Sequence, residues 1–446
     1  MAPEEHGDDE TPDLEGARDP QPQPRTRTRR SLTHVGGEVT RGGDPLASLA
    51  LAHALDVAPA GDLDDEPERA DVHGFHVYPA RMHPLTASRL VSAFAIEGAR
   101  VLDPFCGSGT VLVEAIAAGR AATGADLNPL AVRLAKLKVR EFSERDRELL
   151  LTEATKARAL ADSRRKAKAG ATRRYPNEDV ELFDPHVLLE LDSLRAALEG
   201  ADPSARDPLE LVLSSLLVKV SRKQGDTSTQ TEARRLAAGY TAKLFFRKTE
   251  ELVARLAAFA ERCPTPRLRP RVVLDDATSL LKLDSFSVDT VVTSPPYVAT
   301  YDYAEHHEVR SRWLGLRTAR FHEGELGSRR AYASLDPDAA REAWLGELVA
   351  MLRVLARVVR PGGNVVLLMA DSAVAGQALR ADDLVAEASE HVSALRPLAR
   401  ASQTRPHFHG PTAAAFRNDP RREHALLLGR RTFVDKPASK GADPGL

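Results

Sequence analysis

Residues 99–119, "ARVLDPFCGSGTVLVEAIAAG", constrain the fold more than any other stretch. The apolar run "ARVLDPF" (99–105) stops at Asp-Pro, and "GTVLVEAIAAG" (109–119) then reads as a helix with a glycine stop. A strand that turns through glycines straight into a helix is half of a strand-helix-strand unit, and here the pattern repeats. "AATGADL" (121–127) is a second strand and "PLAVRLAKLKVREF" (129–142) its helix. The strand signal returns at "RVVLDD" (271–276) and "VDTVVTS" (288–294). An amphipathic helix around 343–360 then leads into the strand "NVVLLMADS" (364–372). Such alternation predicts an α/β fold, a doubly wound and mostly parallel sheet with helices on both faces. "RPLARASQ" and "REHALLLGR" add a C-terminal antiparallel hairpin pair.

One segment interrupts the alternation. Residues 143–268 are rich in Ala, Leu, Arg and Glu at helical spacing, which predicts a helical insertion between the second and third strand units. At the ends, residues 1–66 and 433–446 read as disordered tails, because they hold too few large apolar residues to build a core. The basic, proline-spaced "QPQPRTRTRR" in the first tail suits either a solvated tail or electrostatic steering toward nucleic acid. A single catalytic domain is expected over 67–432, with the insertion inside it.

Composition narrows the functional classes. The 446 residues carry a formal net charge of −2, with 42% hydrophobic and 28% charged residues, so a uniformly basic coat for nucleic acid is excluded and local patches must do that work. Two cysteines, Cys106 and Cys263, are too few for a disulfide scaffold or a cysteine-based zinc site. His407 and His409 alternate in "SQTRPHFHG", with no Cys or acid at ligand spacing, and no metal site is expected. No apolar run approaches membrane-spanning length and no signal-peptide pattern is seen, so a cytoplasmic location without membrane contact is the expectation.

The glycine loop "DPFCGSGT" (Asp103–Thr110) carries the first chemical signal. Gly107 and Gly109 let the backbone pass close to a ligand and aim amides at it, at the N-terminus of a helix. Asp126 ends the next strand, about 20 residues on, where doubly wound nucleotide-binding folds place the acid that receives ribose hydroxyls. The Lys-Ser/Thr of a phosphate loop is missing, which argues against ATP or GTP.

"LDPFCGSGT" followed by "GADLNP" resembles the S-adenosylmethionine site of class I methyltransferases, in particular those that methylate exocyclic amines of nucleic-acid bases. The resemblance implies their Rossmann-like fold and S-adenosylmethionine as cofactor. It places Asp103, Gly107 and Gly109 around the methionine part, Asp126 on the ribose, and Asp276 and Ala277 beside the adenine, with Phe105 and Thr110 of the same loop also binding the cofactor. Upstream, "FHVYPARMHP" (Phe75–Pro84) is similar to the segment that completes the methionine pocket in that family, which gives Tyr78 a cofactor role.

The strand 288–294 ends in Ser294-Pro295-Pro296-Tyr297, which matches the family's (Asp/Asn/Ser)-Pro-Pro-aromatic catalytic motif. The residue types suit the chemistry. An exocyclic amine is a poor nucleophile because its lone pair is delocalised into the ring. Acceptors for its protons, Ser294 Oγ and the Pro295 carbonyl, can localise that pair toward a sulfonium methyl. The prolines fix φ and remove competing N–H donors, and Tyr297 offers a face to a base flipped out of duplex DNA. Positioning does most of the work.

Serine at the first motif position is similar to the cytosine-N4 enzymes, whereas Asp-Pro-Pro leans to adenine-N6. The family resemblance therefore implies a site-specific DNA methyltransferase, most nearly cytosine-N4, with adenine-N6 DNA and tRNA or RNA guanine-N2 methylation as alternatives. A cognate restriction or defence nuclease would be the protein partner. Many cytosine-N4 enzymes run their motifs in the other order, so the insertion is the candidate target-recognition region by elimination. "TYDYAEHHEVRSRWLGL" (300–316) either lines a base pocket or docks through Trp313 and Leu314. "SRKQGDTSTQTEARR" (221–235) is either a nucleic-acid contact or a solvated loop.

Overall fold

Five parallel strands with their carboxyl ends together form the centre of the molecule. A computed structural model describes residues 37–58, 70–225, 230–232, 235–406 and 410–432, all within one compact unit, Ser31–Leu446. In chain order the elements are β1 (Val39–Gly43), α1 (Pro45–Leu55), α2 (Pro84–Phe94), β2 (Arg100–Asp103), α3 (Thr110–Ala117), β3 (Ala121–Asp126) and α4 (Pro129–Val139). Next come α5 (Glu144–Lys166), α6 (Asn177–Leu182), α7 (Pro185–Glu199), α8 (Pro203–Val220), α9 (Tyr240–Arg262), β4 (Arg271–Leu274) and β5 (Val288–Thr293). Four short helices follow: α10 (Tyr303–His306), α11 (Glu308–Trp313), α12 (Ala319–Gly324) and α13 (Arg329–Tyr332). The chain ends with α14 (Pro337–Val358), β6 (Val359–Ala370), β7 (Ser372–Val374), β8 (Gln377–Leu379), α15 (Ala381–Glu390), β9 (Leu395–Thr404) and β10 (Arg422–Arg430).

The main sheet has the order β1-β9-β10-β6-β5-β2-β3-β4. Pairs β2/β3, β2/β5, β3/β4 and β5/β6 are parallel, while β6/β10, β10/β9 and β9/β1 are antiparallel. The order reverses at β2, with β3 on one side and β5 on the other, and that is the switch point at which open α/β sheets bind ligands. The parallel strands are short and apolar because both faces are covered. Val101, Leu102, Val291, Val292, Val365 and Val366 are all fully buried.

The chain between β3 and β4 is helical. Helices α5, α7, α8 and α9 pack on one another around Leu191, Leu194, Leu209, Leu216 and Phe245, each fully buried. Arg262 near the end of α9 donates to Glu114 of α3 at 2.9 Å, which keys the last insertion helix to the helix after the glycine loop. Among the described residues no helix is long and apolar enough to cross a membrane.

The expected tail 1–66 needs correction over 39–55. Strand β1 pairs antiparallel with β9, from Val39↔Gln403 to Gly43↔Ala399, and α1 packs on β9 and α2. The signal was local. Asp44 caps α1 by accepting from Ala47 N at 2.8 Å, and Pro45 occupies the first turn. Leu51, Ala54 and Leu55 then fall on one face at helical spacing and are buried. An acidic, proline-rich neighbourhood masked an 11-residue apolar helix. Residues 1–36, 59–69 and 433–446 lie outside the described residues.

Leu51→Ala should therefore destabilise the protein by about 2–5 kcal/mol, read by denaturant unfolding. A loss below ~0.5 kcal/mol would return this segment to being a tail.

Candidate active site

The carboxyl ends of β2, β3, β4 and β5 meet in a cleft of about 860 Å³ counted out to open solvent. Asp103 ends β2. Its Oδ1 accepts from Thr293 Oγ1 at 2.6 Å and from Phe105 N at 3.1 Å, which ties the end of β2 to the end of β5. Asp126 ends β3. Its Oδ2 accepts from Gly107 N at 2.8 Å and its Oδ1 from Asn128 N at 2.8 Å, so one carboxylate shapes the glycine loop and the entry to α4. Past β4, Asp276 turns the chain by accepting from Thr278 N at 2.8 Å and Thr278 Oγ1 at 2.7 Å.

Most of the expected site residues come together here. Tyr78, Asp103, Phe105, Gly107 and Thr110 line one part of the cleft, and Asp126, Asp276, Ala277, Ser294 and Pro296 line the rest. Gly107 has φ +49° and approaches Tyr78 so closely that a Cβ would lie 3.2 Å from the ring. Tyr78 in turn stacks on His307, with ring centres 4.8 Å apart. Gly109, Pro295 and Tyr297 are not among the lining residues. Gly109, at φ +89°, is where α3 meets α4, and a Cβ there would lie 3.2 Å from Ala135 Cα. Its glycine serves helix packing. Pro295 is buried, and the Tyr297 hydroxyl donates to Glu423 Oε1 at 3.0 Å.

Sequence reasoning missed part of the wall. Tyr303, Phe321, Glu325 and Leu326 close the cleft from the segment that follows the Pro-Pro corner. Glu325 accepts from Tyr303 N at 2.5 Å. The aromatic run 300–316 does two jobs at once. Tyr303 faces the cleft, while Trp313 stacks on Tyr175 at 5.3 Å and meets Phe183 edge-on at 5.7 Å, docking the segment against the insertion. Phe321 and Glu325 belong to no spacing pattern that could have flagged them. In the loop 221–235, Arg222 pairs with Asp184 at 2.7 Å. Residues 226–229, 233 and 234 lie outside the described residues, as do His407 and His409.

Electrostatically the cleft favours a cation. Burial pushes Asp103 up to about 7 and desolvation pushes Asp126 up to about 6. Beside them, Thr110 Oγ1 is buried with no hydrogen-bond partner among the described residues, at the first turn of α3 where N–H groups also point outward.

Residues 61–137 match the family model for DNA methylases of the N6/N4 type. The chain is 42% identical over 69 residues to the type II methyltransferase M.MvaI of Kocuria varians, a match covering 15% of each protein. It is 33% identical over 93 residues to the type II methyltransferase M.MjaII of Methanocaldococcus jannaschii, covering 21% of this chain and 18% of that protein. The matched part thus spans less than a fifth of either relative's length. A SAM-dependent methyltransferase from Methanosarcina mazei superposes over 80% of this chain and 99% of its own, at 9% identity and a TM-score of 0.31. With a score that low, the α/β assignment rests on the strand order itself.

S-adenosylmethionine is the cofactor that goes with this matched segment, and the cleft fits it. Its sulfonium and ammonium are cations suited to a site with two desolvated carboxyl groups. Asp126 and Thr110 line that cleft, and the Thr110 hydroxyl has no hydrogen-bond partner among the described residues, beside the α3 amides.

Because both folded pKa values lie above the ordinary 3.8, the protein without added cofactor should lose stability as pH rises from about 4 to 7. A cation restores it by favouring the ionised forms. Cofactor affinity should accordingly rise between about pH 5.5 and 7.5 with proton release, measured by calorimetry in buffers of different ionisation enthalpy. Asp126→Asn should weaken binding by about 10- to 100-fold. PH-independent affinity without proton release would contradict this electrostatic reading.

Proposed function

We propose that the protein is an S-adenosylmethionine-dependent DNA methyltransferase acting on an exocyclic base amine, with cytosine N4 as the favoured target. The observation that carries this is spatial. Ser294 and Pro296, at the end of β5, line the same cleft as the glycine loop and Asp126. A methyl donor held by the second group therefore meets an acceptor base held by the first.

The bound cofactor supplies an electrophilic methyl group on a sulfonium; the chain's own residues do the rest. Ser294 Oγ and the Pro295 carbonyl accept from the amine protons of the target base, drawing its lone pair out of the ring. The rigid Pro-Pro corner keeps both acceptors in place, and the Tyr297 ring supplies a stacking surface for a flipped base. No metal is needed, because alignment of lone pair and methyl is the main demand. Serine rather than aspartate at position 294 supports cytosine N4 over adenine N6. The helical insertion, docked to the post-corner segment through Trp313, is the candidate for reading the target sequence. A paired restriction or defence nuclease and a cytoplasmic location complete the reading.

Mass spectrometry of nucleosides from DNA and tRNA, with and without the gene, tests it. N4-methylcytosine in DNA is expected. N6-methyladenine would move the base assignment, and N2-methylguanine in tRNA would overturn the DNA reading. At the corner, Ser294→Ala should slow methyl transfer by about 10-fold and Tyr297→Ala by about 10- to 100-fold, with cofactor affinity unchanged. Wild-type transfer by both variants would make the corner a plain turn.

A further inference from the structure

Residues 164–174, "RRKAKAGATRR", hold six cations and no acid, in a chain whose formal net charge is −2. They close α5 and form the loop that leads to α6. The dipole of α5 accounts for Arg164, Arg165 and Lys166 in its last turn. Lys168, Arg173 and Arg174 lie beyond the helix, where that explanation ends.

The loop is held in one shape. Arg164 Nη2 donates back to Gly170 O at 2.6 Å and its Nε to Ser193 Oγ at 3.0 Å. Thr172 donates to the buried Asp192 of α7 through N at 2.7 Å and through Oγ1 at 2.6 Å. Arg173 lies over the rings of Tyr175, at 4.7 Å, and Trp313, at 5.7 Å, and Arg165 pairs with Asp162 at 3.2 Å. Those three arginines thus serve the fold. Lys166, Lys168 and Arg174 are exposed and meet no acid or hydrogen-bond acceptor among the described residues.

Lys168 supplies an independent observation. Helix α5 ends with Ala169 N donating to Arg164 O at 2.9 Å, and Lys168 inside that turn has φ +52°. Glycine is the residue this left-handed position favours. A lysine there strains the backbone and makes no contact within the fold that repays it, which points to a ligand outside the chain.

The loop also lies at a defined reach from the cleft. Trp313, beneath Arg173, ends α11, and His307 at the other end of that helix stacks on Tyr78 at 4.8 Å. Tyr78 lines the cleft. With a rise of about 1.5 Å per helical residue, the path from loop to cleft wall is about 20 Å, or about six base pairs of duplex.

We infer, resting on the DNA methyltransferase reading above, that Lys166, Lys168 and Arg174 form a phosphate-contacting surface that holds the DNA duplex flanking the target base. Their charge complements the backbone, and their distance from the cleft places them on flanking phosphates. Such contacts fix register and affinity without reading sequence. They give the insertion a local positive patch that the chain's overall charge does not supply.

The test is equilibrium binding of a labelled DNA duplex to the full-length protein across a salt series, with tRNA titrated alongside. Combining Lys166→Gln, Lys168→Gln and Arg174→Gln should lower the slope of log affinity against log salt by about 3 and weaken binding at low salt by at least about 10-fold. Melting temperature and S-adenosylmethionine affinity should hold. Lys168→Gly alone should raise the melting temperature by relieving the left-handed strain, yet still lower the slope by about 1. A solvated loop would show the first effect without the second. Unchanged slopes, with DNA methylation by the wild type intact, would overturn the surface and leave the functional reading standing. A loss confined to tRNA would overturn the duplex assignment. A wild-type protein that neither binds nor methylates duplex DNA would fail the functional reading itself, and the surface with it.

Discussion

Two backbone amides, of Gly107 and Asn128, converge on the one carboxylate of Asp126. That convergence sets the cleft. The first amide draws the glycine loop back over the end of β3, and the second starts α4 beside it, where Asn128 caps the helix by accepting from Leu130 N at 3.0 Å. Asp103 does the corresponding work one strand over, joining β2 to β5 through Thr293. Both acids lie where burial opposes their charge, which is tolerable in the folded protein only because amides and hydroxyls satisfy them. The same tension favours a ligand that brings positive charge.

This dual role changes what Asp126 means for the molecule. A strand-end acid could be dispensable for folding if it met only ligand, but here its removal frees the Gly107 amide as well. The proposed cofactor contact and the loop architecture would share one side chain, so the isosteric Asn separates charge from shape better than Ala does.

Much of this was legible in the residues. Short apolar runs ending at Asp-Pro, Ala-Asp and Ser-Pro-Pro marked the central strands, because strands buried on both faces must be apolar throughout and must end where the chain turns to chemistry. The glycine loop and its acids were legible because close backbone approach leaves few residue choices. What stayed hidden depends on long-range placement. Tyr303, Phe321 and Glu325 line the cleft from short helices whose positions are set by docking, with Trp313 seated between Tyr175 and Phe183. Glu423 lies on a strand far along the chain, and only the sheet order brings it to Tyr297. Asp371 and His424 illustrate the reverse hazard, since with Asp382 they cluster like metal ligands. Yet the Asp371 carboxylate is already met by Ala381 N, Arg422 N, Arg380 and His424, a structural knot that fastens β6 to β10 and α15. And α1 was obscured by its polar surroundings although its cap and its apolar face were both written locally.

The central claim is that one cleft holds the methyl donor against the Pro-Pro corner. A crystal structure of the complex with S-adenosylhomocysteine tests it most directly. The account predicts ribose hydroxyls on Asp126 and the sulfur turned toward Ser294 and the Pro295 carbonyl. A ligand seated away from Asp126, or one whose sulfur faces away from the corner, would contradict it.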